Sequence, residues 1–209
     1  MPLLAGQRLV AVDTETTGFD ADDGHRLVEV ATVTIDDGVL GETWSSLIAP
    51  GRPIPEDSTA VHGITNEMVA QAAPAAASAA ELRRRCADRT LVFHNATFDL
   101  PFIEIFLRES GTPELWNPVV DTLGLARGLS GEGSRSLVAL AVRFGLVPED
   151  SHRAAGDART TARLFLVLAG AWERERHVRS LAELAAVSQD AQRLGRRSGG
   201  APRETPPSE

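Results

Sequence analysis

Three short segments of the chain place acids at the ends of otherwise apolar stretches, and one of them adds a histidine. In RLVAVDTET, from Arg8, a strand would put residues i and i+2 on one face. Asp13 and Glu15 would then project together, on the side of Leu9 and Ala11. Two such carboxylates repel, and one would hold a proton unless a cation lay between them. In FHNATFD, Asp99 heads a helical pattern whose next same-face positions are Ile103 and Phe106. That face is apolar, so the acid points inward, where a bare carboxylate is costly. In SHRAAGDARTTARLFLVLAG, Asp157 heads a second helical pattern and shares its face with Thr161, Leu164 and Leu168. His152 precedes it, in a turn after Pro148. Carboxylate oxygens are the ligands that Mg²⁺ and Mn²⁺ prefer. Two such ions can activate water, support a leaving oxygen and neutralise charge building on a phosphorus. A histidine beside them is suited to take a proton from water.

Each feature has a plainer alternative when taken alone. Asp13 and Glu15 would pass as a solvated strand end, Asp99 as an acid favoured by a helix dipole, and His152 as a surface loop residue. Asn95 would cap a helix or bind phosphate, and Phe98 would fill the core or stack on a base. The argument rests on the constellation: three separate segments deliver acids to the ends of buried elements.

VDTETTG, HNATFD and HRAAGDA resemble the three motifs of the DEDDh, or DnaQ-like, exonuclease family, which includes the epsilon proofreading subunit of the bacterial replicative polymerase. All four acids occur in order, and the H-x-A-x-x-D form marks the histidine branch; the chain has no tyrosine at all. The resemblance runs from about Arg8 to Trp172 and extends to VHGIT at Val61–Thr65, to VDTLGLAR from Val120 and to SLVAL from Ser136. It implies a metal-dependent 3′→5′ exonuclease that releases nucleoside 5′-monophosphates. It implies two divalent cations, Mg²⁺ or Mn²⁺. Asp13, Glu15 and Asp157 would hold the ion that activates water. Asp13 would bridge to the second, and Asp99 would support that site directly or through water. His152 would be the general base. Thr16 would offer backbone contact to the terminal 3′-hydroxyl, and His62, Gly63, Ile64 and Phe98 would line the terminal nucleotide, with Asn95 nearby. Glu29, in LVEVA, fits the family pattern too; a buried structural hydrogen bond is the competing role.

The elements that must position these residues follow from pattern. RLVAVDTET, LVEVATVTID and GETWSSLIA read as strands, the last two joined by the hairpin signal Asp37-Gly38. A turn-rich loop follows, then a helical stretch over 56–87 broken by Pro74. TLVFHN is a short buried strand, Phe98–Ser110 is helical with Pro101 in its first turn, and Val119-Val120 form a fifth strand. Helical patterns lie near Ser136–Phe144, Gly156–Trp172 and Glu173–Leu194. The fold class expected is α/β: a ribonuclease-H-like mixed five-stranded sheet, three antiparallel strands and then two parallel, flanked by helices. The expected organisation is an exonuclease domain over 1–172, a helical extension over 173–194 and a disordered tail over 195–209.

Composition narrows the function classes. No stretch is long and apolar enough to span a bilayer, and no signal peptide is evident. Cys86 is the only cysteine; it reads as a small apolar helix residue in a reducing, cytoplasmic setting. The net charge of −8 is awkward for a nucleic-acid binder, since phosphate neutralisation supplies most of the affinity. Metal ligands account for part of the acidity, and every basic residue besides histidine is arginine, which suits phosphate geometry. A weak, local grip on a 3′ end is expected, DNA rather than RNA and single-stranded. Arg83, Arg84 and Arg85 read as a solvated helix face, and Trp44, Trp116 and Trp172 as packing residues. A free-standing enzyme is favoured over a proofreading subunit, with a polymerase or repair partner reached through the C-terminal extension as the alternative. The remaining alternatives are an exoribonuclease and, in another class, a non-catalytic nucleic-acid-binding module.

Overall fold

The computed structural model describes residues 2–129, 133–149 and 152–198. After a short 3-10 turn at Pro2–Leu4, the chain forms an antiparallel meander of β1 (Arg8–Thr16), β2 (Leu27–Asp36) and β3 (Val39–Leu47). Asp37 (φ 54°) and Gly38 (φ 77°) make the β2–β3 turn, the positive-φ pair that matches strand twist in a two-residue hairpin. β4 (Thr90–Phe93) and β5 (Val119–Asp121) then add in parallel. The sheet order is β3-β2-β1-β4-β5, which puts β1 at the centre. The mixed five-stranded sheet expected from the sequence is the one formed.

The alternation of β1 sets two hydrophobic layers. Leu9 and Ala11 face a core with Val33, Ile35, Val92 and the long helix α7 (Ala154–Glu175). Ala154, Ala158 and Ala162 recur along α7 and are fully buried, so its backbone approaches the sheet closely. Val10 and Val12 face the other layer, with Leu82 of α3 (Ala75–Cys86) and Phe102, Ile103 and Phe106 of α4 (Ala96–Glu109). Cys86 is buried there and its thiol is pushed up to about 12 by burial, so it acts as apolar filling.

The helical stretch expected over 56–87 is three helices: α1 (Glu56–His62), α2 (Asn66–Val69) and α3. The extra break comes from Gly63, whose left-handed φ of 71° ends α1, and from Thr65, whose hydroxyl accepts from Met68 N to start α2. α4 begins at Ala96 rather than Phe98, so Pro101 lies in the second turn, not the first. It forfeits one helix hydrogen bond there. α5 (Thr122–Leu129) occupies a segment the sequence suggested only as a link, and α6 (Leu137–Arg143) follows.

The helix expected over Glu173–Leu194 is divided differently. α7 continues to Glu175, and α8 runs from Leu181 to Ser198. Residues 195–198 of the expected tail are therefore helical, and 199–209 lie outside the described residues. α8 packs against α5 and the β5 edge, burying Leu184 and Ser188. At the α5–α8 contact a Cβ on Gly124 would overlap the backbone carbonyl of Ser188. Gly124→Ala should force these helices apart, at about 1–3 kcal/mol, and lower the thermal midpoint by several degrees. An unchanged midpoint in a circular-dichroism melt would show that the contact is slack.

Candidate active site

The register of the sheet creates an open position at the end of β1. β4 pairs with β1 only from Leu9 to Ala11. From Val12 onward β1 has β2 on one side and no β4 partner on the other. Asp13, Thr14 and Glu15 occupy this overhang, and the β1–β2 pairing shifts register between Glu15 and Thr16.

Asp13 and Glu15 point to the α7 side, where Asp157 projects from the first turn of α7. One carboxylate oxygen from each lies within 4.8 Å of the others. Thr14 faces the opposite way, and its hydroxyl donates to Asp99 Oδ1 at 2.6 Å. Asp99 is thus attached to the same strand from the other layer, near enough to repel Asp13. The structure brings Asp13, Glu15 and Asp157 together as a tight group, and Asp99 stands beside it.

These acids bear the electrostatic consequence. Burial first, then repulsion from Asp99, Asp157 and Glu15, raises the Asp13 carboxyl well above its usual range. Burial and the same kind of repulsion push Glu15 up to about 8, with Arg153 opposing. Burial lifts Asp99 to about 7 against the hydrogen bond from Thr14. Asp157 is raised by burial, and both the His152 backbone bond and the nearby imidazole pull it back. Such a set of part-buried, mutually repelling oxygen ligands fits a hard divalent cation.

Two residues outside the expected ligand set hold this frame. Glu29 lies opposite Glu15 in the β1–β2 register. Its carboxylate accepts from Arg153 Nε (3.1 Å), Arg153 Nη2 (2.8 Å) and Ala154 N (3.1 Å). The structural role is therefore the one it fills: it pins the N-terminus of α7, and with it Asp157, to the sheet. Asp121, at the end of β5, accepts from Asn95 N (3.0 Å), Ala96 N (2.7 Å) and Leu123 N (2.8 Å). One buried carboxylate caps both α4 and α5, and α4 carries Asp99. An acid ending an apolar strand, in VVDT, was the available signal for it.

His152 sits in a left-handed conformation (φ 61°), and its N–H donates to Asp157 Oδ2 at 2.9 Å. The side chain is exposed. The loop preceding it includes residues 150–151, outside the described range. Asn95 is also left-handed (φ 70°) and makes no side-chain cap; its Oδ1 accepts from Thr97.

Beside the acids lies a pocket of about 240 Å³ lined by Glu15, Thr16, Phe19, Val61, His62 and Phe98. Ile64 N donates to His62 Nδ1 at 3.0 Å, which leaves the ring proton on Nε2. That atom is buried, with the Thr16 backbone beside it and no hydrogen bond of good geometry among the described residues. Burial lowers the His62 pKa, favouring the neutral ring. Phe98 is braced by Phe102, ring centroids 5.4 Å apart. Thr16 is buried, its hydroxyl donating to Gly18 O at 2.6 Å. Gly63 ends α1 next to His62, and Ile64 is fully buried below. Phe19 is a member the sequence expectation missed. It is 90% exposed at the tip of the turn after β1. The His25 ring lies against Gly18, leaving no room for a Cβ there, and so helps fix how Phe19 is presented.

A family model described as an exonuclease, RNase_T, matches residues 10–165. A Rhodobacter capsulatus protein named DNA polymerase III subunit epsilon-like is 40% identical over 195 residues, 90% of this chain and 27% of that one. A Streptococcus suis protein named DNA polymerase III PolC-type is 35% identical over 79% of this chain and 11% of its own length. The chain thus spans about a quarter or less of these curated relatives. Among solved structures, Exonuclease X in complex with 5′ overhanging duplex DNA matches with a TM-score of 0.68 and 27% identity, covering 86% of this chain and 99% of that one. The nuclease domain of 3′hExo, a DEDDh family member bound to rAMP, matches with a TM-score of 0.68 at 14% identity, over 78% of this chain and 92% of that one. The latter is a likeness of fold.

The raised carboxyls give a test that needs no substrate. Glu15 at about 8 and Asp99 at about 7 bind protons more tightly folded than unfolded, where carboxyls release them near 4. Between those limits the folded state holds the extra protons, so stability falls as pH rises. A cation that binds only the folded, ionised site offsets this. In chelator-treated protein the melting temperature should fall between pH 5 and pH 8. Adding Mn²⁺ should raise it more at pH 8 than at pH 5; an equal rise at both would sink the ligand assignment.

Proposed function

The chain belongs to the RNase_T exonuclease family, and from that membership we propose that it is a metal-dependent 3′→5′ exonuclease of the DEDDh branch acting on DNA ends. The observation that carries the proposal is the convergence of Asp13, Glu15 and Asp157 beside a base-sized pocket into which the buried His62 Nε2 brings a poorly satisfied donor. An acidic group alone is common on protein surfaces. Its adjacency to an aromatic pocket with such a donor supports a substrate that brings both a phosphate and a ring.

Asp13, Glu15 and Asp157 would hold one divalent cation, Mg²⁺ or Mn²⁺, and Asp13 with Asp99 a second. When bound, such ions lower the pKa of water and neutralise charge developing on phosphorus. The remaining work falls to the chain. Phe19, Val61 and Phe98 would wall the terminal base, and His62 Nε2 would donate to the terminal nucleotide. The backbone at Thr16 would meet its 3′-hydroxyl, with Gly63, Ile64 and Asn95 shaping the approach. His152 would accept the proton of the attacking water. The bond from phosphorus to the 3′-oxygen of the preceding nucleotide then breaks, releasing a nucleoside 5′-monophosphate. The exposed position of His152 suits a base that must engage an incoming water and then return its proton to solvent.

DNA is favoured over RNA by the names of the relatives and by the duplex DNA bound to Exonuclease X. Those names also favour a second reading, a proofreading unit serving a polymerase. In that case a partner would meet the extension from residue 173 on its outer side, because α8 already spends its inner side on α5 and β5. No helix among the described residues is long and apolar enough to cross a membrane.

End-labelled single- and double-stranded DNA and matched RNA, each with Mg²⁺ or Mn²⁺, test the reading. Mononucleotides should be released from 3′ ends, from DNA faster than from RNA. Asp13→Ala should abolish hydrolysis with the fold kept. His152→Ala should slow turnover on the order of a hundredfold or more while metal-dependent stabilisation persists. Wild-type rates in either variant would remove that residue from the reaction.

A further inference from the structure

The opposite end of β1 borders a second feature. An open groove of about 500 Å³ runs between the start of β1, the last turn of α3 and the segment leading into β5. Arg8, Arg83, Arg89 and Trp116 line it. Arg8 and Asp13 are five residues apart on one strand, so the groove lies about 17 Å from the carboxylates at ~3.3 Å per residue.

The arginine run of α3 is not the uniformly solvated face the sequence suggests. Arg84 is paired with Glu81. Arg85 is 9% exposed, paired with Glu42 and Glu81, and lies over the Trp44 ring at 5.2 Å. Arg83 alone of the three turns to the groove. It has no acidic partner among the described residues, and its Nε is buried without a hydrogen bond. Arg8 likewise has no acidic partner among them, whereas Arg89 is neutralised by Asp36 at 2.6 Å. Asp88 also lines the groove but pairs with neither free arginine. Trp116, expected to pack, is 86% exposed. A chain of net charge −8 therefore keeps two unpaired guanidinium groups beside an uncovered indole.

We propose that this groove is a second nucleic-acid contact, which takes an unpaired stretch of strand with a base stacked on Trp116 and the adjoining phosphate between Arg8 and Arg83. Stacking on an aromatic platform with arginine at the backbone grips single strands without reading sequence. The groove is open along its length, which suits a chain that enters and leaves. A free mononucleotide is better held by a cleft that encloses most of it. An acidic peptide would match the charge and leave Trp116 with no ring to stack on.

The test uses the full chain in EDTA, which stops cleavage, and a fluorescein-labelled single-stranded DNA of about 16 nucleotides. Anisotropy titrations should show roughly tenfold weaker binding for Trp116→Ala, largely restored in Trp116→Phe. Arg8→Gln/Arg83→Gln should weaken binding and reduce the salt slope by about 0.7, the value for one lost phosphate contact on a single strand. Cleavage of a dinucleotide, too short to reach the groove, should be unchanged in all three. Equal affinities and equal salt slopes would overturn the proposal. So would quenching of Trp116 fluorescence by a glutamate-rich peptide or by free nucleoside monophosphate but not by the oligonucleotide. Because binding is read without hydrolysis, a protein that cuts nothing yet loses affinity in these variants would sink the exonuclease reading and leave the groove standing.

Discussion

Carboxylates repel one another, and a folded chain brings them together only if other interactions hold them in place. Asp13, Glu15, Asp99 and Asp157 meet at one end of β1, where burial raises the pKa of every one of them and repulsion within the group raises Asp13 and Glu15 further. Left to itself such a cluster would splay into solvent or take up protons. The fold denies the first outcome by placing each acid on a different anchored element or on the central strand. It denies water free access by flanking the cluster with α4 and α7. A cation bound among them would relieve the repulsion, and relief of that kind is a source of affinity in a metal site.

The anchors are themselves buried carboxylates, used in the opposite sense. Glu29 and Asp121 are 2% and 1% exposed, yet each is surrounded by donors. Glu29 receives a guanidinium and a helix N–H; Asp121 receives three backbone N–H groups. A buried carboxylate with its lone pairs filled is a rigid joint, because removing any donor leaves the charge uncompensated. Glu29 fixes α7 to β2, and Asp121 fixes α4 and α5 to β5. Two fully satisfied acids thereby brace the elements that carry the site. The short β4 completes the geometry: had it run the length of β1, it would have occupied the space through which Asp99 approaches.

The acids of the site were legible because alternation in a strand and periodicity in a helix are local rules. Asp13 with Glu15, and Asp157 with Thr161 and Leu164, could be assigned faces from spacing alone. The mixed sheet, antiparallel and then parallel, was legible for a similar reason, since a hairpin signal and alternating strands and helices leave few topologies. What could not be read depends on contacts distant in sequence. Nothing around Glu29 announces Arg153 as its partner, 124 positions away. Nothing in VDTLGLAR announces a helix, because its start is fixed by the Asp121 carboxylate and its packing by Gly124 against α8. Phe19 escaped notice because an exposed aromatic in a turn acquires meaning only beside Phe98, His62 and Glu15.

Charge illustrates the same division between totals and places. A net charge of −8 suggests a protein that repels polyanions, and net charge does govern long-range encounter and solubility. It says little about where the individual charges stand. Arg26, Arg84, Arg85, Arg89, Arg153, Arg159 and Arg163 each pair with a carboxylate of the fold. Such pairs add little to stability when exposed and are locally neutral to a ligand. The four acids of the site gather at one end of β1, and Arg8 and Arg83 stand at the other. A strand approaching this surface would meet an acidic site that needs metal to accept it and a basic groove that does not. The polarity of the molecule, and not its sum, is what a phosphate backbone encounters within a Debye length.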